Sequence, residues 1–237
     1  MADINSDRLA VLIDADNAQP SVAAELMAEI GRYGTATVRR AYGDWTTPNL
    51  NGWKEHLHTL AIQPIQQFRL TTGKSATDSA LIIDAMDLLH GGRVDGFCLV
   101  SSDSDFTRLA TRIRESGFTV YGFGEKKTPK PFVAACNRFI FTEILRAPSE
   151  TPAALPSGQA LLKPILADAV SAAAGDDGWA FLGAVGSLLT KANPEFDPRN
   201  YGKKKLGELV KSQPYLEVRL QQAADGAPTA QIYVRVR

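Results

Sequence analysis

The sequence predicts an α/β fold, a parallel sheet flanked by helices, followed by a smaller α+β domain. Three observations predict it. From residue 9 to residue 142, short apolar runs alternate with longer helical stretches, the pattern of strands and the helices that cover them. A segment reading APSETPAALPSG over 147–158 carries Pro148, Pro152 and Pro156, a density that disfavours helix and suits an extended linker. Beyond it the pattern changes to three short helical stretches and two short strands. The expected organisation is therefore a first domain over 1–146, a proline-rich linker over 147–159 and a second domain over 160–237.

Taken in order, LAVLI at Leu9–Ile13 is an apolar strand. Pro20–Arg32 is a helix with proline in its first turn, where a missing N–H costs nothing. Thr35–Tyr42 is a strand, Leu50–Leu60 a helix and Ile62–Phe68 a third strand. Thr77–Leu89 is a helix with a nearly all-apolar body, and GFCLVS at Gly96–Ser101 a buried strand. Phe106–Glu115 is a helix, Thr119–Phe123 a strand, Phe132–Cys136 a short helix and Arg138–Thr142 a closing strand. After the linker, helices are expected at Leu161–Ala173, Trp179–Ala192 and Asn200–Lys211. Strands at Tyr215–Leu220 and Gln231–Val236 come next, joined around Asp225-Gly226. Three helices and a hairpin resemble a winged helix-turn-helix.

Composition excludes several classes. With 44% apolar and 22% charged residues in 237, the chain is neither collagen-like, nor disordered, nor a disulfide scaffold. Lys plus Arg is 26 and Asp plus Glu is 26, so a strongly basic coat is absent while local basic patches stay open. Cys98 and Cys136 sit in apolar stretches without metal spacing and read as small buried residues in a reducing compartment. The N-terminus lacks a basic start followed by a long apolar run. No stretch approaches the roughly 20 apolar residues of a membrane span. A cytoplasmic location is expected, with no membrane contact.

In an open parallel sheet, ligands bind outside the carboxyl ends of the strands. The residues at those ends are strongly acidic: Asp14-Ala15-Asp16-Asn17, Gly43-Asp44-Trp45, Asp78 opening a helix, Ser101-Ser102-Asp103-Ser104-Asp105, then Glu125. Asp14, Asp78, Asp103 and Asp105 can converge on one edge. Carboxylates within about 5 Å of one another cannot all stay ionised without a cation. A hard divalent ion with oxygen ligands, Mg²⁺ or Mn²⁺, resolves that charge and can hold a phosphodiester for hydrolysis. The competing reading is that each Asp merely caps a helix or turn. Asp16 is the weaker member of its pair. Asp84 and Asp87 lie along a helix body and read as solvated or structural.

LIDADNAQ, GKSATDSALIIDAMDLL and GFCLVSSDSDFTRLATRIRESGFTVYGFG, in that order over residues 8–145, resemble the NYN family of PIN-like nuclease domains. The resemblance implies a PIN-like sheet and metal-dependent cleavage of RNA, with an endonuclease expected. Carried over by motif, Asp14 and Asp78 are metal ligands, and Asp103 and Asp105 form the SSDSD pair. Asp105 either binds the metal or orients the attacking water. Asn17 matches the Asn after the first acid and orients a ligand or water. Ser102 stands where many relatives have glycine. The resemblance also implies that two copies of the domain can pair, a homodimer building a channel.

Basic and aromatic residues near that edge are candidates for RNA contact. Lys74 precedes Asp78, and Lys126, Lys127 and Lys130 lie beyond the fifth strand. Trp45 comes after the second strand and can stack on a base or pack its loop onto the core. Trp53 reads as buried. Arg39 and Arg40 point to opposite faces of a strand, so at most one serves the site. TGKS at 72–75 is not a phosphate loop, because Phe68 stands where that motif needs glycine. Gly122-Phe123-Gly124 lacks the third glycine of a dinucleotide loop. His56 and His58 lie about 200° apart on a helix and form no metal pair.

GWAFLGAVGSLLTK and FDPRNYGKKKLGELVKS, then a short strand and a hairpin, resemble the OST-HTH (LOTUS) module. That resemblance implies RNA binding or a protein partner. Its expected working surface is the Asn200–Lys211 helix, with Lys203, Lys204 and Lys205 fanning around it and Arg199 and Tyr201 beside them. The function expected is a metal-dependent ribonuclease acting on single-stranded or structured RNA, with a C-terminal RNA- or partner-binding module. The alternatives are a non-catalytic RNA-binding adaptor and a phosphohydrolase in which the DxD of IDADN supplies a covalent nucleophile, Asp14.

Overall fold

β1 (Arg8–Asp14) is buried from Leu9 to Asp14, which requires apolar cover on both faces of the sheet. Its side chains alternate between two apolar layers. Ala10 and Leu12 join Leu81, Ala85, Ile113 and Phe132 on one face. Leu9, Val11 and Ile13 join Leu26, Ile30 and Trp53 on the other. The computed structural model describes residues 7–68, 76–146, 158–221 and 231–237. It divides into two compact units, Met1–Ala147 and Pro148–Arg237.

In the first unit, β1 leads to α1 (Ala23–Ile30), β2 (Thr35–Gly43), α2 (Asn51–Thr59) and β3 (Gln63–Gln66). Then come α3 (Ala76–His90), β4 (Gly96–Val100), α4 (Thr107–Glu115), β5 (Thr119–Gly124), α5 (Lys130–Ala135) and β6 (Arg138–Phe141). The sheet runs β3-β2-β1-β4-β5-β6 with every pairing parallel. This is the helix-flanked parallel sheet that the sequence predicts. The third strand is shorter than expected. It lies at the sheet edge, where Pro64, which has no N–H to donate, is tolerated. Pro20 opens a 3₁₀ turn over Pro20–Val22, and the α-helix proper starts at Ala23.

Several residues expected to be structural are so. Trp53 is buried and donates its indole N–H to the Ala18 carbonyl. Asp84 accepts from the Tyr42 hydroxyl at 2.8 Å and from Arg40 at 2.9 Å, tying α3 to β2. Arg39 donates to the carbonyls of Ala36 and Leu60, so neither arginine is directed at the acids. Cys98 and Cys136 are free and buried. Burial pushes both thiols up, Cys136 to about 12. No helix among the described residues is long and apolar enough to cross a membrane.

The second unit contains α6 (Gly158–Ala173), β7 (Ala180–Phe181), α7 (Leu182–Ala192), α8 (Leu206–Lys211), β8 (Leu216–Gln221) and β9 (Gln231–Val236). Its small antiparallel sheet has the order β7-β9-β8. Leu166, Val170, Val185, Leu189, Val210 and Val234 form its core. Three expectations change. α6 begins at Gly158, inside the segment expected as linker. The helix expected from Trp179 begins at Leu182, because Ala180 and Phe181 pair with Val234 and Tyr233 of β9. The helix expected over Asn200–Lys211 is broken. Pro198–Tyr201 is a 3₁₀ turn, Gly202 adopts a left-handed φ of 73°, and α8 starts only at Leu206. Lys203, Lys204 and Lys205 therefore precede the helix instead of fanning around it. Residues 147–157 of the linker and the Asp225-Gly226 turn lie outside the described residues.

Gly122 of β5 has a packing reason rather than a nucleotide-binding one. A methyl group there would stand 2.4 Å from Phe139 Cδ2 and 2.7 Å from Cys136 Sγ. Gly122→Ala is expected to lower stability by about 1–3 kcal/mol, the usual cost of overpacking a core. Urea unfolding followed by circular dichroism measures it.

Candidate metal centre

The strand order reverses between β1 and β4, which opens a crevice at their carboxyl ends. Asp14, the last residue of β1, sits at that point and is fully buried. Its Oδ2 accepts from Asn17 Nδ2 at 2.7 Å and from Ser101 Oγ at 2.8 Å. Its Oδ1 is buried without a hydrogen-bond partner. Burial pushes the Asp14 carboxyl up to about 6. The bonds from Asn17 and Ser101 oppose the rise, and the charges of Asp78 and Asp16 add to it. A buried carboxylate oxygen with no donor is costly in isolation and suited to a cation.

Of the four acids expected to converge, three form a group of their own, and Asp14 is not within it, although the charge of Asp78 reaches Asp14. One carboxylate oxygen from each of Asp78, Asp103 and Asp105 lies within 4.8 Å of the others. Asp78 is in the first turn of α3. Asp103 accepts from the Asp105 backbone N–H at 2.9 Å and so caps the 3₁₀ turn Ser104–Phe106 that leads into α4. Capping and metal binding are thus compatible here, since a carboxylate has about four lone-pair sites. The donor set is all oxygen and anionic, the chemistry a hard divalent ion such as Mg²⁺ or Mn²⁺ requires. These residues fit such an ion.

Sequence reasoning missed the side chains that position the acids. Ser101 donates to Asp14, accepts from the Asp103 backbone N–H at 3.1 Å and ends β4 against the Phe123 carbonyl. Ser102 accepts from the Glu125 backbone N–H at 2.9 Å and joins the β4 and β5 loops. Thr77 donates to Asp16 at 3.2 Å, linking the start of α3 to the β1 loop. The available signal was the density of hydroxyl residues beside the acids. Asp44 organises its own loop, accepting from Thr46 and Gln66.

The basic and aromatic candidates are dispersed. Lys126 and Lys127 are exposed beyond β5, with Lys127 paired to Glu125. Trp45 donates its indole N–H to the Ile65 carbonyl and packs against the apolar layer that holds Trp53. Lys74 lies outside the described residues. Lys203 and Lys204 belong to the second unit, where the Lys204 backbone N–H donates to Glu208.

Residues 8–145 match the family model of the NYN domain. The chain belongs to the NYN family. It also carries an OST-HTH/LOTUS domain, matched over residues 158–226. The NYN domain is nuclease-like in fold, and the OST-HTH domain points to RNA or protein binding. Among solved structures, a protein of unknown function from Vibrio parahaemolyticus RIMD 2210633 is similar at 18% identity and a TM-score of 0.50. The match covers 59% of this chain and 94% of that one, a likeness of fold alone. An uncharacterized Nitrosomonas europaea protein is 34% identical over 39% of this chain and 90% of its own, with a TM-score of 0.31. A Chromobacterium violaceum protein is 38% identical over 32% of this chain and 79% of its own, with a TM-score of 0.27. No curated protein matches the chain significantly.

The raised Asp14 pKa gives a signed stability effect in the metal-free protein. The native state holds the Asp14 proton more tightly than the unfolded chain does. This group's contribution therefore falls as pH rises from about 4 to about 6, and the penalty is complete above that range. In EDTA at pH 8, Asp14→Asn is expected to stabilise the fold by about 1–3 kcal/mol, shrinking towards zero at pH 4. Urea unfolding of both proteins at the two pH values checks it.

Proposed function

We propose that this NYN protein is a metal-dependent ribonuclease that hydrolyses RNA phosphodiester bonds endonucleolytically. In this reading residues 1–146 cut, and residues 158–237 hold RNA or a protein partner. The observation that carries the reading is the unpartnered, buried Oδ1 of Asp14, joined through Ser101 to the Asp78, Asp103 and Asp105 cluster. A cytoplasmic location accords with two free, buried thiols.

Asp14, Asp78 and Asp103 would hold Mg²⁺ or Mn²⁺, which when bound polarises the phosphate and lowers the pKa of its water. Asn17 and Ser101 fix the Asp14 carboxylate by binding Oδ2, which would leave Oδ1 available to such an ion. Asp103 is held by the turn that it caps. Asp105, exposed where Asp78 and Asp103 are half-buried, orients the attacking water and accepts its proton. Lys126 and Lys127, exposed at the end of β5, would meet RNA phosphates. The burial of Asp14 argues against the covalent phosphohydrolase route, because a nucleophile must reach phosphorus.

End-labelled single-stranded and structured RNAs, incubated with Mn²⁺, Mg²⁺ or EDTA, test the proposal. Cleavage is expected with either ion and not in EDTA. Asp14→Asn and Asp103→Asn, shown to be folded, are expected to lose it. Asn17→Ala, which frees the Asp14 side chain on one side, is expected to lose about 10- to 100-fold. Cutting that survives in EDTA or in the Asp variants overturns the reading. RNA binding with no turnover under any ion would make the chain an adaptor.

A further inference from the structure

The exposed face of the small sheet in the second unit is built of rings and arginines. Register places Phe181, Tyr233 and Arg219 in one row across β7, β9 and β8. Arg235 and Glu217 pair two residues along, on the same face because side chains alternate. Trp179 closes this second row, two residues before Phe181. The alternate side chains Leu216, Val218 and Val234 pack into the core, so the ring-bearing face is the outer one.

The rings and guanidiniums are in mutual contact. Phe181 and Tyr233 have centroids 5.9 Å apart. The Arg219 guanidinium carbon lies 4.4 Å from the Trp179 centroid and 5.6 Å from that of Tyr233, and that of Arg235 lies 4.7 Å from Trp179. Phe181 is 43% exposed. The carboxylates beside the two arginines, Asp177 and Glu217, are solvent-exposed partners. Such pairs contribute little and exchange readily for a phosphate.

We infer that this face binds single-stranded RNA, bases stacking on Phe181 and Tyr233 while Arg219 and Arg235 meet the backbone. Rings with no hydrogen-bond code accept any base, and arginine supplies both a planar stacking group and charge opposite to phosphate. No aliphatic side chain stands in the two rows, so a protein's apolar anchor finds rings and charge here instead of an apolar pocket. The inference rests on reading the chain as an RNA-acting protein. It differs from the sequence expectation, which put the contact at Lys203 and Lys204.

Fluorescence anisotropy of a labelled mixed-sequence 12-nucleotide RNA with the full chain in EDTA tests it apart from cleavage. Phe181→Ala is expected to weaken binding roughly tenfold, the loss of one stacked base. Arg219→Gln should weaken binding and reduce the slope of log affinity against log salt by about 1. Tyr233→Ala, which removes the second stacking ring, should weaken binding by a similar factor. Unchanged unfolding midpoints confirm that these variants are folded. Absence of RNA binding by the unaltered chain overturns the inference, as does undiminished binding by Phe181→Ala. Loss confined to Lys203→Gln and Lys204→Gln, or self-association of the chain through this face, does the same. A chain that cuts RNA yet fails these tests keeps its nuclease reading and loses this one. A chain that passes them and never cuts does the reverse.

Discussion

The first unit is organised around a carboxylate taken out of water. Asp14 ends a strand that is buried from Leu9 onward, and two side chains satisfy one of its oxygens. The other oxygen has no donor. Such a group is held in place only by rigid surroundings. β1 supplies that rigidity, paired on one side with β2 and on the other with β4. Ser101, at the end of β4, completes the set by bonding both Asp14 and the turn that carries Asp103.

The sheet topology turns this local arrangement into a site. Because the strands are parallel, all their carboxyl ends face one way, and the reversal of strand order at β1/β4 leaves room there. α3 begins at this edge with Asp78 in its first turn, and the 3₁₀ turn that leads into α4 carries Asp105. The apolar layers on the two sheet faces keep these helices in place without using a single acid from the cluster. The apolar core and the acidic cluster are thus built from different residues.

Much of this was legible in the sequence, for physical reasons. LAVLI and GFCLV are continuous apolar runs, so their ends, and the acids after them, stand out. The bond from Ser101 to Asp14 was not legible, since it joins residues 87 apart in sequence. Ala180 and Phe181 read as helix because their neighbours have helical spacing, yet a strand some 50 residues later claims their backbone. KKKLGELVKS reads as helix throughout because Leu206, Leu209 and Val210 recur at helical intervals. The punctuation was Gly202, whose left-handed backbone ends one turn before the next helix begins. Lysines just ahead of a helix and lysines around one present different surfaces.

The double duty of Asp103 has an evolutionary corollary. A side chain that caps a turn is retained for folding whether or not the protein still does chemistry, so an acid at this position is a poor marker of an active descendant. Asp14 is the opposite case. Its burial works against the fold, and the bonds from Asn17 and Ser101 offset that only in part. A lineage released from catalysis would gain stability by replacing it, and drift would erase the first acid of IDADN long before the SSDSD turn. Living and defunct members of such a lineage would be told apart by that single strand-end position.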